Sequence, residues 1–189
     1  MEQKWANKLN NDEFNLITDT WYPLLKKNAT LKIKAQLASL GQDLELLLPG
    51  FGSKISSGEN FLNLPYMVLD YPKISGNNFP FLFRTLFWWG HAASFQVLVR
   101  TKDRPDLCEK LVEICEDQTL IYVGDNLWEN NFEASEFVAI AKLSEAQKVQ
   151  VLKQDMLKFV WVSGTKKPEN LFEEAIGFYK KFIEVVLSA

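Results

Sequence analysis

His91 is the chain's only histidine. It follows Trp88-Trp89-Gly90 and stands three positions before Ser94. An imidazole titrates near neutrality and can serve as a general base, with Ser94 the nearest hydroxyl. Gly90-His-Ala-Ala-Ser94 is not a nucleophile elbow, because the serine lacks flanking glycines and a strand-to-helix setting. A hydrolase using His91 as catalytic base is therefore the alternative reading, and a binding site is the leading one.

That binding site begins at Arg84. Residues 81–89 and 94–100 have strand composition and flank Gly90–Ala93, which predicts a hairpin with a four-residue loop. Alternation then puts Arg84, Leu86 and Trp88 on one face, beside Phe95, Val97 and Val99. A guanidinium among apolar neighbours needs a partner, and Asp70, near the end of the preceding strand Tyr66–Tyr71, is the natural candidate. Trp88 and Trp89 must point to opposite faces, so one can line a groove while the other packs inside. Lys54, Glu59 and Asn60 fall in residues 49–65, where Pro49, Gly50, Gly52, Gly58 and Pro65 predict a long loop. The expected groove lies between this loop and the 81–100 hairpin. Lys54, Glu59, Tyr66, Asp70, Arg84, Trp88 and His91 are its ligand-binding candidates, and a small polar or anionic molecule or a peptide is its occupant.

Other patterns fail the tests of the chemistry they resemble. Gly50-Phe-Gly52 with Gly58 has no Gly-Lys-Ser/Thr and no strand-to-helix context, so it is not a phosphate loop. Asp125–Glu129 with Asn130, Asn131 and Glu133 could hold a hard cation, but it lacks the ligand alternation of an EF-hand and reads as a solvated turn. Glu59, Asp70 and Glu129 could pair as acid and base in glycoside hydrolysis, yet nothing in their spacing singles out a pair. One His and two Cys are too few for the common zinc and two-histidine iron sites, so no metal and no cofactor is expected.

The run Lys54-Ile-Ser-Ser-Gly-Glu-Asn-Phe-Leu-Asn-Leu-Pro-Tyr-Met-Val-Leu-Asp-Tyr-Pro72, with Phe83-Arg-Thr-Leu-Phe-Trp-Trp-Gly-His91, resembles a pattern in uncharacterised bacterial proteins of similar length. The resemblance covers about a fifth of the chain and transfers no activity. It implies only that loop, strand and hairpin belong to one unit.

The elements that must position these residues can be read from periodicity. Asn11 or Asp12 can cap a helix whose Phe14, Ile17, Trp21 and Leu24 or Leu25 predict one buried face, with a break near Trp21–Tyr22 forced by Pro23. The pattern resumes through Leu31, Ala35 and Ala38, is interrupted at Gly41, and stops at Pro49–Gly50. A turn at Ser75–Asn78, a helix opening at Pro105, strands at Thr119–Val123 and Phe137–Ala141, and a helix capped by Ser144 and carrying Met156 follow. Phe159–Val162 fits either a helix end or a strand. A last helix starts near Pro168 and repeats Leu171, Ala175, Tyr179, Phe182 and Val186. Strands in the middle and helices at both ends predict an α+β fold, with a mainly antiparallel central sheet, N-terminal helices and a long C-terminal helix packed on it.

At 189 residues the chain is expected to form a single globular domain spanning 1–189. A net charge of −3, with arginine only at positions 84, 100 and 104, disfavours nucleic acid as a partner. No segment reads as a membrane span or a secretion signal, and Cys108 and Cys115 are spaced beyond disulfide reach on one helix, which fits a cytoplasmic protein with reduced thiols. A homodimer is the alternative assembly, because the aromatic surplus of 14 Phe, 6 Trp and 5 Tyr could leave a self-complementary patch.

Overall fold

The computed structural model describes residues 8–74, 79–91, 93–102, 105–165, 167 and 170–188. The turn expected at 75–78, Arg104 and Pro168 lie outside them. The chain forms two compact units, Met1–Gln36 and Leu37–Ala189.

The first unit contains α1 (Asn11–Thr18) and the beginning of α2 (Trp21–Leu47). The cap of α1 is Asn10, one residue before the expected position. Its side chain accepts from the Glu13 amide at 2.8 Å, and the Glu13 carboxylate accepts from the Asn10 amide at 2.7 Å. The helix break falls at Asp19–Thr20, where Asp19 Oδ1 accepts from the Trp21 amide at 2.7 Å. Pro23 therefore sits in the first turn of α2, where its missing N–H leaves no bond unmade. Phe14, Ile17, Trp21, Leu24 and Leu25, expected as a buried face, are all exposed. Their spacing meets the requirement for an amphipathic helix, but no described residue of this unit covers the stripe.

The second unit is built on one seven-stranded antiparallel sheet in the order β1-β2-β3-β4-β7-β5-β6. The strands are β1 (Lys54–Phe61), β2 (Leu64–Tyr71), β3 (Phe81–Trp88), β4 (Ala93–Arg100), β5 (Leu120–Tyr122), β6 (Phe137–Ala139) and β7 (Met156–Val162). The helices are the end of α2, α3 (Pro105–Glu113), α4 (Glu145–Leu152) and α5 (Leu171–Ser188). This is the expected α+β arrangement, with the long C-terminal helix on the sheet. Ala175, Phe178, Tyr179, Phe182 and Ile183 make the buried stripe of α5. Tyr179 meets Phe83 at 5.3 Å between ring centroids and shares a 2.8 Å hydrogen bond with Thr85, while Phe182 meets Phe159 at 5.1 Å. That is the helix-covered face of the sheet.

Several expectations need correction. Residues 49–65 are not a long loop. Ile55–Gly58 pairs with Tyr66–Leu69, and the link to β2 is a tight turn at Leu62-Asn63, both with positive φ (48° and 66°). The serines and glycine that mimic a loop here occupy a strand at the edge of the sheet. α2 runs through Gly41 without interruption, because a Cβ there would lie 2.7 Å from Ser53 Oγ and glycine alone lets the helix come this close. Met156 opens β7 instead of continuing α4, and Phe159–Val162 is strand. Cys115 lies beyond the end of α3, and both cysteines are free thiols.

The register of the β3–β4 hairpin also differs from expectation. Arg84 pairs with Gln96 and Leu86 with Ser94, so Phe95 and Val97 belong to the opposite face. Trp89 lies beyond the last β3–β4 pair, Phe87 with Ala93, and donates its amide to Pro65 O on the β2 side at 3.0 Å, while the turn passes through Gly90 at φ 76°. The resulting offset from the expected pairing is an odd number of residues, and an odd slip exchanges the faces of the partner strand. Arg84 accordingly has a polar cross-strand neighbour.

Candidate functional site

The sheet face opposite α5 carries a row of polar side chains in register. Lys54 pairs with Asp70, Asp70 with Arg84, and Arg84 with Gln96, across four consecutive strands. Strand alternation places all four on this face, because directly paired residues share a side of the sheet. The Asp70 carboxylate holds the Arg84 guanidinium in a bidentate pair, accepting from Nε at 2.6 Å and from Nη2 at 2.9 Å. Both side chains are mostly buried, with exposures of 10% and 16%. Nη1 is not engaged by Asp70.

The connection from β5 to β6 lies over this row. Trp128 brings its ring to 4.6 Å from the Arg84 guanidinium carbon, a cation–π contact. Asn130 Oδ1 accepts from Gln96 Nε2 at 3.0 Å, and Asn130 Nδ2 donates to Trp128 O at 2.8 Å. Lys158, on β7, is buried beneath the same segment. Its ammonium donates to the carbonyls of Leu127 (3.0 Å) and Glu129 and lies 5.4 Å from the Phe137 ring centroid. Burial, then the nearby Arg84 charge, pull the Lys158 pKa down to about 7, while Glu129 opposes the shift. Gln96 Nε2 also donates to Ser94 Oγ at 3.2 Å. Among the described residues the buried Gln96 Oε1 has no hydrogen-bond partner.

Beside the ion pair opens a cleft of about 390 Å³. Lys54, Asp70 and Arg84 are its charged lining, Ser56, Tyr66 and Asn130 its uncharged polar lining, and Trp128 part of its apolar wall. Two cations face one carboxylate there, and that carboxylate is already bound to one of them.

The sequence-derived residues divide between two places. Lys54, Tyr66, Asp70 and Arg84 meet in this cleft. Trp88 and His91 line a second one of about 330 Å³ with Asn131, Phe132 and Glu133. Phe61, in the wall of the first cleft, is 4.9 Å from Trp88 between ring centroids and accepts the indole N–H through its carbonyl at 3.1 Å. Glu59 and Asn60 line neither. Asn60 instead serves the turn, its Oδ1 accepting from the Asn63 amide at 3.1 Å.

The His91 ring stacks flat on the Trp88 indole, 3.6 Å between centroids and 12° between planes. Ser94 is fully buried, and its hydroxyl accepts from Gln96. Among the described residues no group of three His, Cys, Asp or Glu side chains is placed to hold a metal ion. No helix among them is long and apolar enough to cross a membrane.

No spacing in the sequence marks Trp128, Gln96 or Lys158 as a site residue, and Asn130 stands out only within the cluster read as a cation site or solvated turn. The amide-rich run at 125–133 was the one signal available, and it pointed to a cation or a solvated turn. In the structure its tryptophan and asparagine roof a cationic row.

No family model matches the chain, and no curated protein is similar to it at a meaningful level. Among solved structures the chain is similar to a conserved hypothetical protein from Pyrococcus furiosus, at 17% identity over 87% of this chain and 97% of that one, with a TM-score of 0.49. None of the three comparisons ties the chain to a bacterial group.

Proposed function

We propose that the cleft bounded by β1, β2, β3 and the Trp128 segment binds a small anionic molecule, without catalysis. The observation that carries this reading is the charge arrangement. Lys54 and Arg84 line one cleft, and the only carboxylate among its described lining residues, Asp70, is spent on orienting Arg84. A guanidinium locked by a bidentate carboxylate on one side and an indole face on another is pre-organised, so an incoming anion does not have to immobilise it. Ser56, Tyr66 and Asn130 add hydrogen-bonding groups, and the apolar wall suits a short carbon skeleton.

The test is a thermal-shift screen of small dicarboxylates and organic phosphates on the wild type, Arg84→Met, Lys54→Met and His91→Gln. A ligand at about 100 times its dissociation constant adds roughly 2.7 kcal/mol to the stability of the fold. The expected result is an anion that stabilises the wild type and His91→Gln but loses its effect in Arg84→Met and Lys54→Met. An anion effect that survives in Arg84→Met, or disappears in His91→Gln alone, would move the site to the second cleft and overturn the reading.

A further inference from the structure

The exposed apolar stripe of the first unit is the largest feature the cleft does not explain. We infer that it is covered by a second copy of this chain, with α1 of each copy lying against the α2 seam of the other around a two-fold axis.

Three observations carry the inference. The first is that α1 has eight residues and none is buried. Isolated helices shorter than ~12–15 residues are marginal in water, so a formed α1 with Phe14 and Ile17 at 55% and 63% exposure needs a surface to hold it.

The second is spacing and area. Trp21, Leu24, Asn28, Leu31 and Ala35 follow alternating steps of three and four along α2 and are all exposed, which is the seam of a helix that packs against another. Nine large apolar side chains between Leu9 and Leu31 are exposed. Five of them, Phe14 and Ile17 on α1 and Trp21, Leu24 and Leu31 on the seam, share the two facing stripes, and at roughly 100 Å² each they offer roughly 1,000 Å² over two copies, the area a specific interface needs to reach.

The third is charge. Lys27, Lys32 and Lys34 flank the seam, so two seams facing each other would set lysine against lysine. α1 carries Asp12 and Glu13 in its first turn, and Asp19 follows its end. An α1 arm on the partner's seam therefore sets acid against base, twice by symmetry, and this selects a second copy with exchanged arms over a direct seam-to-seam pair.

The test is sedimentation equilibrium of the full chain at low ionic strength, across micromolar concentrations. The wild type is expected to be a dimer. Trp21→Glu should raise its dissociation constant by at least about tenfold, because it replaces the largest apolar side chain of the seam, at its first position, with a charge. Asp12→Lys should weaken it about threefold, and Asp12→Lys combined with Lys34→Glu should recover that loss. Unchanged thermal unfolding of the sheet unit in each variant shows that the fold is intact. A wild type that stays monomeric, whether Trp21 is open to a fluorescence quencher or shielded from it by its own chain, overturns the inference. So does a dimer indifferent to Trp21→Glu, or one that Trp21→Glu breaks but Asp12→Lys does not touch.

Discussion

Asp70 and Arg84 stand directly opposite each other on β2 and β3 and are joined by two hydrogen bonds of 2.6 and 2.9 Å. The pair is mostly sealed from water, so its two members are unequal under substitution. Asp70→Asn leaves a buried guanidinium with a weakened partner and a cation–π contact alone, and it should cost about 2–4 kcal/mol in urea unfolding. Asp70→Leu with Arg84→Met removes both charges and should recover most of that loss, because desolvation of the pair then disappears as well. If the double variant is no more stable than Asp70→Asn, the pair is not the desolvated unit described here.

Glu45 is the hub that seats the start of β1, and hence Lys54, beside β2. Its carboxylate accepts from the amides of Gly50 (2.7 Å) and Gly52 (2.8 Å) and from the Tyr71 hydroxyl (2.9 Å). The two amides, then Tyr71, hold the Glu45 pKa below its ordinary 4.5. A depressed carboxylate pKa contributes stability that is present above the unfolded value and lost as pH falls through the folded one. Amide exchange at Gly50 and Gly52, corrected for its intrinsic pH dependence, should therefore accelerate as the pH drops below 4.5. Glu45→Gln should show weaker protection with no such acid transition. Retention of the acid transition in Glu45→Gln would assign it to another group.

The parts of the fold legible in the sequence are those governed by local rules. The i, i+3, i+4 stripe of α5, the Ser144–Gln147 capping box, and the strands containing Asp70 and Arg84 follow from residues near one another in the chain. β1 was hidden because Ser56, Ser57 and Gly58 have loop composition, and only pairing with β2 makes them a strand. The neighbours of Arg84 differ from expectation because the faces of β4 depend on the parity of the hairpin loop, which alternation within each strand does not report. Trp128 and Asn130 reach the site through a connection that crosses the sheet and Lys158 from β7, so no local spacing relates them to Asp70 or Lys54. The N-terminal stripe was legible as a stripe, whereas what covers it is not written in its own periodicity.

Lys158 ties the Trp128 segment to the sheet and should make the stability of the fold depend on pH near neutrality. Its ammonium is buried, and its hydrogen bonds to the described residues go to carbonyl oxygens, those of Leu127 and Glu129. The pKa of about 7 lies below the ordinary 10.5, so between these values the unfolded chain binds more protons than the folded one. Stability must then rise with pH across that window, by at most about 1.4 kcal/mol per unit, with the full penalty of the buried charge present below about 7. Urea midpoints measured from about pH 6.5 to 8.5 should increase in the wild type relative to Lys158→Met. The thiols of Cys108 and Cys115, raised by burial from 9.0 to about 11 and about 12, act in the opposite sense only above 9.0 and are common to both proteins. Charged neighbours supply a second check. Arg84 lowers the Lys158 pKa and Glu129 raises it, so Arg84→Met should move the titration midpoint up and Glu129→Gln should move it down, as followed by NMR of the lysine ε-methylene. Equal pH slopes in the wild type and Lys158→Met would show that Lys158 does not titrate in this window and that its two carbonyl contacts hold it charged throughout.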